Sequence, residues 1–211
     1  MAGMTTILKI LVSPRPLSHS RLIAGEIVAR LQALHPGAHI IDRDLAADPP
    51  PHPDLALYNA ILSPETGPGH PDFALSERYI SELEAADWVV IGTPMNNFSV
   101  PSTLKAWIDH IVRIRRTFRS TPQGKIGLLH DVPVVVVSAH GGYCSDAPPG
   151  QPDFLTPYLR TIFETIGMTT RVEFIRMQGL TRGPEALATA LGEARGWLER
   201  RLPLAKADAA C

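Results

Sequence analysis

Five short runs of apolar, largely β-branched residues recur along the chain: Ile7–Val12, His39–Asp42, Trp88–Gly92, Pro133–Ser138 and Arg171–Ile175. The first, third and fourth are nearly continuous rather than alternating, the pattern of parallel strands covered on both faces. Between them the apolar period lengthens to that of a helix. Ser20–Leu34 carries Ile23, Ile27, Leu31 and Leu34 on one face, and Phe73–Ala86 carries Leu75, Tyr79, Ile80 and Leu83. Pro101–Ile114 places Leu104, Trp107, Ile108 and Ile111 together. Phe154–Ile166 is followed by Gly167, a good helix terminator, and Pro184–Leu202 has proline in its first turn. Five β–α units in alternation predict one α/β domain, a doubly wound parallel sheet with right-handed crossovers and helices on both faces. With five units the expected strand order is 2-1-3-4-5, which puts the topological switch between strands one and three.

Asp48–Pro71 breaks the alternation. It is rich in proline and has one short helical stretch, Asp54–Leu62. A connection this long is functional, a lid or disordered, and the plainer reading is a surface insertion that covers some apolar area. Leu55, Leu57, Tyr58, Ile61 and Leu62 make it too apolar for a purely solvated loop. It fits either a cover for a neighbouring copy's pocket or a lid folded on its own chain. The last residues, 204–211, have little to bury and are expected to fray, as are residues 1–4.

Composition narrows the classes of function. A net charge of −1 gives no basic footprint for nucleic acid. It also argues against a dedicated acidic electron carrier. The two cysteines, Cys144 and Cys211, are a poor basis for a disulfide scaffold and suit a reduced, cytoplasmic protein. No run approaches the length of a membrane span, and no signal peptide is expected.

The loops after strands one, three and four should meet at the carboxyl edge, where open α/β sheets bind ligands. The first is Ser13-Pro14-Arg15-Pro16-Leu17-Ser18-His19-Ser20-Arg21. It lacks glycine, so neither the dinucleotide fingerprint nor the P-loop is present. Its three serines and the amides of the following helix suit a phosphate monoester, although Ser18 or Ser20 can equally be a plain helix cap. The second, Pro94-Met95-Asn96-Asn97-Phe98-Ser99-Val100-Pro101, is stiffened by two prolines and offers two side-chain amides and a ring. Its backbone suits the edge of a planar ring, with Asn97 adding hydrogen bonds. The plainer alternative is a tight turn before a helix capped by Ser99. The third, Ser138-Ala139-His140-Gly141-Gly142-Tyr143, has paired glycines whose amides can approach a ligand closely. His140 reads as a solvated loop histidine before it reads as a catalyst, and Tyr143 as either a ring cover or packing.

Together these segments resemble the FMN-dependent NADH azoreductases and quinone reductases of the flavodoxin-like superfamily. The likeness covers nearly the whole chain. It is carried by Ser-Pro-Arg and Ser-x-Ser after strand one, and by Pro94–His110, which reads Pro-Met-x-Asn-Phe-Ser-x-Pro-Ser-x-Leu-Lys-x-Trp-Ile-Asp-His. It continues in Arg116-Thr117-Phe118-Arg119, Gly141-Gly142 and Asp153–Leu159. The resemblance implies that Ser13, Ser18, His19 and Ser20 surround the FMN phosphate. It places Met95, Asn96, Asn97 and Phe98 at the flavin edge, and Ala139, His140, Gly141 and Gly142 on the other side of the ring. It implies a homodimer with sites at the interface, no metal, NADH or NADPH as electron donor, and a quinone or azo compound as acceptor. It also implies a ping-pong cycle needing no protein nucleophile. The chain departs from the family at Asn96, where tyrosine is usual, and at His140, where arginine is common. Backbone contacts to FMN do not need the missing ring, but the acceptor would meet a smaller and more polar surface.

Two alternatives share this fold class: a non-enzymatic electron carrier and a flavin-binding protein without activity. A phosphorylated receiver domain needs an acidic cluster after strand one and aspartate after strand three, where this chain has Ser13 and Gly92-Thr93. A low-molecular-weight phosphatase needs cysteine and arginine six apart, and Gly150 stands six residues after Cys144.

Overall fold

A computed structural model of the protein describes residues 4–67, 69–145 and 150–204. Cys211 and the tail from 205 lie outside the described residues, as do positions 1–3. The elements in chain order are β1 (Thr6–Leu11), α1 (His19–Leu34), β2 (His39–Asp44), α2 (Leu55–Leu62), α3 (Ala74–Ala85), β3 (Trp88–Pro94) and α4 (Ser102–Ile111). There follow β4 (Phe118–Thr121), β5 (Gly124–Gly127), β6 (Val134–Ala139), α5 (Leu155–Ile166), β7 (Val172–Met177) and α6 (Pro184–Arg201). A 3₁₀ turn, Pro71–Phe73, leads into α3.

The main sheet has the order β2-β1-β3-β6-β7 with every pairing parallel. It is the expected 2-1-3-4-5 arrangement, with a two-stranded antiparallel hairpin, β4–β5, set between the third and fourth strands. The continuous apolar runs follow from the two-sided cover. Leu8, Ile10, Val89, Ile91, Val134 and Val136 face a core with α3, α4 and α5. Ile7, Val90, Val135 and Val137 alternate onto the other face, against α1 and α6. Fully burying one such side chain contributes about 1.5–3 kcal/mol.

Several boundaries differ from the sequence reading. β2 runs two residues further, to Asp44, because the whole of His39–Asp44 pairs in register with Thr6–Leu11. α4 stops at Ile111, not Ile114: the Thr117 hydroxyl donates to the Ile111 carbonyl at 2.7 Å and accepts from the Arg113 amide at 2.9 Å, turning the chain into the hairpin. That hairpin docks on the end of α5, where Gly127 meets Gly167 so closely that a Cβ on Gly127 would occupy the Gly167 backbone.

The proline-rich segment is packed on its own chain. Asp54 caps α2 by accepting from the Leu57 amide at 2.9 Å, and Leu57 and Ala60 bury against Phe73. The His110 ring Nε2 meets the Pro51 carbonyl at 3.0 Å, and Arg115 donates to the carbonyls of Ile61 and Ser63. The opposite face of α2 is open: Leu55, Tyr58 and Leu62 are 74%, 49% and 76% exposed. Among the described residues no helix is long and apolar enough to cross a membrane.

Candidate functional site

Parallel pairing of β1, β3 and β6 brings their three following loops to one edge. Two contacts tighten that edge. The Val12 amide donates to the Gly92 carbonyl at 3.0 Å, and the Met95 amide donates to the Ala139 carbonyl at 2.9 Å. Gly92 also lets α1 seat against β3. A Cβ at Gly92 would lie 2.7 Å from the Ser20 carbonyl oxygen and 3.0 Å from the Ala24 Cβ. The start of α1 is thereby drawn next to the strand that carries the second loop.

The first loop is closed by local bonds. Ser18 caps α1 with its hydroxyl accepting from the Arg21 amide at 3.3 Å, and the Ser18 and Ser20 hydroxyls lie 3.4 Å apart. Ser13 is buried, with its hydroxyl accepting from the Arg15 amide at 3.3 Å. The first helical amides have no intrahelical acceptor, and no partner among the described residues takes those of His19 and Ser20.

The second loop is a two-residue hairpin. Asn96 and Ser99 exchange both backbone hydrogen bonds at 3.0 Å, and Asn97 and Phe98 between them have φ of 47° and 70°. Positive φ at both central positions is the type I′ geometry, uncommon for residues other than glycine, asparagine and aspartate. Ser99 therefore does not cap α4, whose N-cap is Pro101 without a side-chain bond. The Asn97 and Phe98 amides point to no acceptor among the described residues, while the Phe98 carbonyl accepts from the Phe154 amide at 2.9 Å.

The third loop differs from expectation at His140. It is fully buried, not solvated. Its Nε2 lies 2.7 Å from the Ser138 hydroxyl and its Nδ1 3.2 Å from the Cys144 sulfur. The imidazole is a strut beneath the loop, and the backbone is tied down as well, its amide donating to the Met177 carbonyl at 2.8 Å and its carbonyl accepting from the Leu180 amide at 3.1 Å. The carbonyls of Gly141 and Gly142 are taken by Thr181 and Gly179, while their amides have no acceptor among the described residues. Tyr143 packs against Gly179.

The sequence and the fold both have known counterparts. A family model described as a flavodoxin-like fold matches residues 5–202. The FMN-dependent NADH:quinone oxidoreductase 2 of Cupriavidus pinatubonensis is 50% identical over 198 residues, covering 92% of this chain and 96% of that one. The chain belongs to the FMN-dependent NADH:quinone oxidoreductase family. A second member, oxidoreductase 4 of Pseudomonas fluorescens, is 43% identical over 92% of this chain and 94% of its own. Among solved structures, an FMN-dependent NADH-azoreductase from Bacillus anthracis in complex with FMN superposes with a TM-score of 0.77 at 26% identity, over 94% of this chain and all of that one. Another Bacillus anthracis azoreductase reaches 0.83 over 95% and 99% of the two chains, and at 23% identity it speaks to the fold alone.

For a quinone reductase of this family, the sequence reading passed over the residues that support the edge from behind. Cys144 holds the third loop through His140 and through its amide, which donates to Gln178 at 2.6 Å. Asp44 reaches the first loop from a neighbouring strand. A polar residue ending β2, beside an arginine in the first turn of α1, was the available signal. Burial lowers the pKa of His140 below its ordinary value, with Arg176 adding to the effect and Asp153 opposing it. The unfolded chain therefore takes up this proton at a higher pH than the folded one. Its contribution to stability is complete above about pH 6.5 and is lost as pH falls toward the lowered value. Chemical denaturation at pH 5.5 and 7.5 should show wild type losing more stability on acidification than His140→Gln. Equal losses would exclude this histidine as the cause.

Proposed function

We propose that this chain binds FMN across Ser13–Ser20, Met95–Phe98 and Ala139–Gly142, and carries two electrons from NADH to a quinone. The observation behind this is one set of donors. The amides of His19, Ser20, Asn97, Phe98, Gly141 and Gly142 lie on three adjacent loops with no acceptor among the described residues. Backbone donors left unpaired at one edge fit a ligand that brings acceptors to all three. A phosphate dianion suits the start of α1, with the Ser18 and Ser20 hydroxyls beside it. Ring carbonyl oxygens suit the turn at Asn97–Phe98 and the paired glycines. FMN has both groups, and the missing dinucleotide fingerprint favours it over FAD.

When bound, FMN supplies hydride acceptance and release. The chain's work is placement. Ser18 and the start of α1 hold the phosphate end, with the buried Ser20 hydroxyl 3.4 Å from that of Ser18. The type I′ turn fixes one edge of the ring, and Gly141-Gly142 approach it from the adjacent strand. His140 is turned inward, so protons for the reduced acceptor come from water. Asn96, which is exposed, gives the acceptor a small polar neighbour. Azo compounds belong to the same acceptor class as a secondary use. The test is anaerobic stopped-flow of the FMN-loaded protein. NADH should bleach the flavin in one two-electron step, and benzoquinone should restore it. A flavin that stays oxidised under NADH would replace the reductase with a carrier.

The reading includes a homodimer in a reduced, cytoplasmic setting. Leu55, Tyr58 and Leu62 support the dimer, because they form an exposed apolar stripe on a helix whose other face is packed. Leu55→Glu with Leu62→Glu is expected to shift the protein toward monomer in light scattering at micromolar concentration. A fully active wild-type monomer would overturn the dimer.

A further inference from the structure

The first loop contains a cation that does not face the amides it adjoins. Arg21 lies in the first turn of α1, where a guanidinium is well placed to meet a bound phosphate. Each of its three nitrogens donates elsewhere, which uses three of the five N–H groups. Nε donates to the Ser13 carbonyl at 2.7 Å, Nη1 to Asp44 Oδ2 at 2.7 Å and Nη2 to Asp44 Oδ1 at 2.7 Å. Asp44 is fixed in turn, with Oδ1 accepting from the amides of Ala46 at 3.0 Å and Ala47 at 3.3 Å. The fork-on-fork pair joins three elements: the end of β2, the start of the first loop and the first turn of α1. The Arg21 amide also donates to the Ser18 hydroxyl at 3.3 Å. One residue thus grips the loop at both ends, through its side chain at Ser13 and its backbone at Ser18.

We infer that Arg21 and Asp44 are a positioning pair that presets the Ser13–Ser20 loop for a phosphate monoester and so sets the preference for FMN over riboflavin. Two physical consequences support this. A carbonyl oxygen held by a guanidinium is not free to face an anion, so the Ser13 oxygen does not oppose the phosphate. The charges of Arg21 and Asp44 cancel, leaving recognition to hydroxyls and amides whose positions the pair determines. Between its ends the loop is mostly exposed, and Pro14, Arg15, Pro16 and Leu17 bury little that would hold it otherwise. The inference rests on the FMN reading above and adds a residue-level cause for its phosphate end.

The test compares two flavins that differ only by the phosphate. Dissociation constants of FMN and riboflavin are measured by fluorescence quenching on full-length protein freed of flavin. Arg21→Gln should weaken FMN about tenfold, the loss expected for a misplaced charge-assisted contact, and leave riboflavin unchanged. Arg21→Lys should recover only part of the preference, since an ammonium cannot make the fork. Equal weakening of both flavins, or of neither, would overturn the inference. If Arg21→Gln fails to fold, the double variant Arg21→Gln with Asp44→Asn decides the question by the same ratio. It removes both charges together, so no uncancelled charge is left beside the phosphate. A wild type that binds FMN and riboflavin equally would instead overturn the phosphate reading itself.

Discussion

Replacing Gly92 with valine is expected to lower the unfolding free energy by about 3 kcal/mol, the upper part of the usual range for overpacking. The new Cβ would lie 2.7 Å from the Ser20 carbonyl, a backbone atom that cannot rotate aside, and 3.2 Å from a Leu11 methyl. To admit it, α1 must lift away from β3. In a chain of this size the melting temperature should fall by about 6–12 °C. FMN affinity should fall as well, since the first turn of α1 moves with its helix. Gly25 is the internal control. It lies on the same helix, and a Cβ there would meet nothing within 4 Å, so Gly25→Ala should be neutral or stabilising by up to about 1 kcal/mol. A Gly92→Val protein that melts like wild type would show that α1 does not depend on this close approach.

Ser18→Ala should weaken FMN binding about tenfold or more, because a hydrogen bond to a charged group contributes about 1.5–3 kcal/mol. The same hydroxyl caps α1, so a stability loss of about 0.5–2 kcal/mol is expected alongside. Titrating FMN and FAD into the variant separates the two effects. Lost capping alone disturbs both flavins, whereas a lost phosphate contact removes the advantage of FMN. Unchanged FMN affinity, with FAD binding better than FMN, would remove Ser18 from the phosphate site.

The sheet was legible because burial on both faces leaves strands such as Trp88–Gly92 and Pro133–Ser138 almost without polar residues, a pattern visible along the chain. The hairpin Phe118–Gly127 was not legible. Of β4 only Phe118 is buried, and β5 begins and ends in glycine, so neither strand carries an apolar run. The end of β2 was missed for a related reason. Arg43 and Asp44 look like the start of a loop, yet Arg43 is buried against Glu82 and Tyr79 while Asp44 holds Arg21. Such partners lie on other elements, and spacing along the chain does not reveal them. The three edge loops were recognisable because proline, serine and paired glycine have local meaning. The inward turn of His140 was not, because it depends on Ser138 behind it and on the segment after β7, where the Leu180 amide donates to the His140 carbonyl at 3.1 Å.

In the FMN site proposed above, the turn at Asn97–Phe98 has a consequence for how the cofactor is acquired. Two adjacent non-glycine residues in the left-handed region each cost on the order of 1 kcal/mol or more, and that strain is incurred when the chain folds. The turn is closed by the Asn96–Ser99 bonds and tied to Phe154, contacts that involve no ligand. Little chain freedom is then left to surrender at this edge on loading. Uptake should proceed as a rapid encounter with a ready-made groove, and protease resistance around Met95–Ser99 should be the same before and after the flavin arrives.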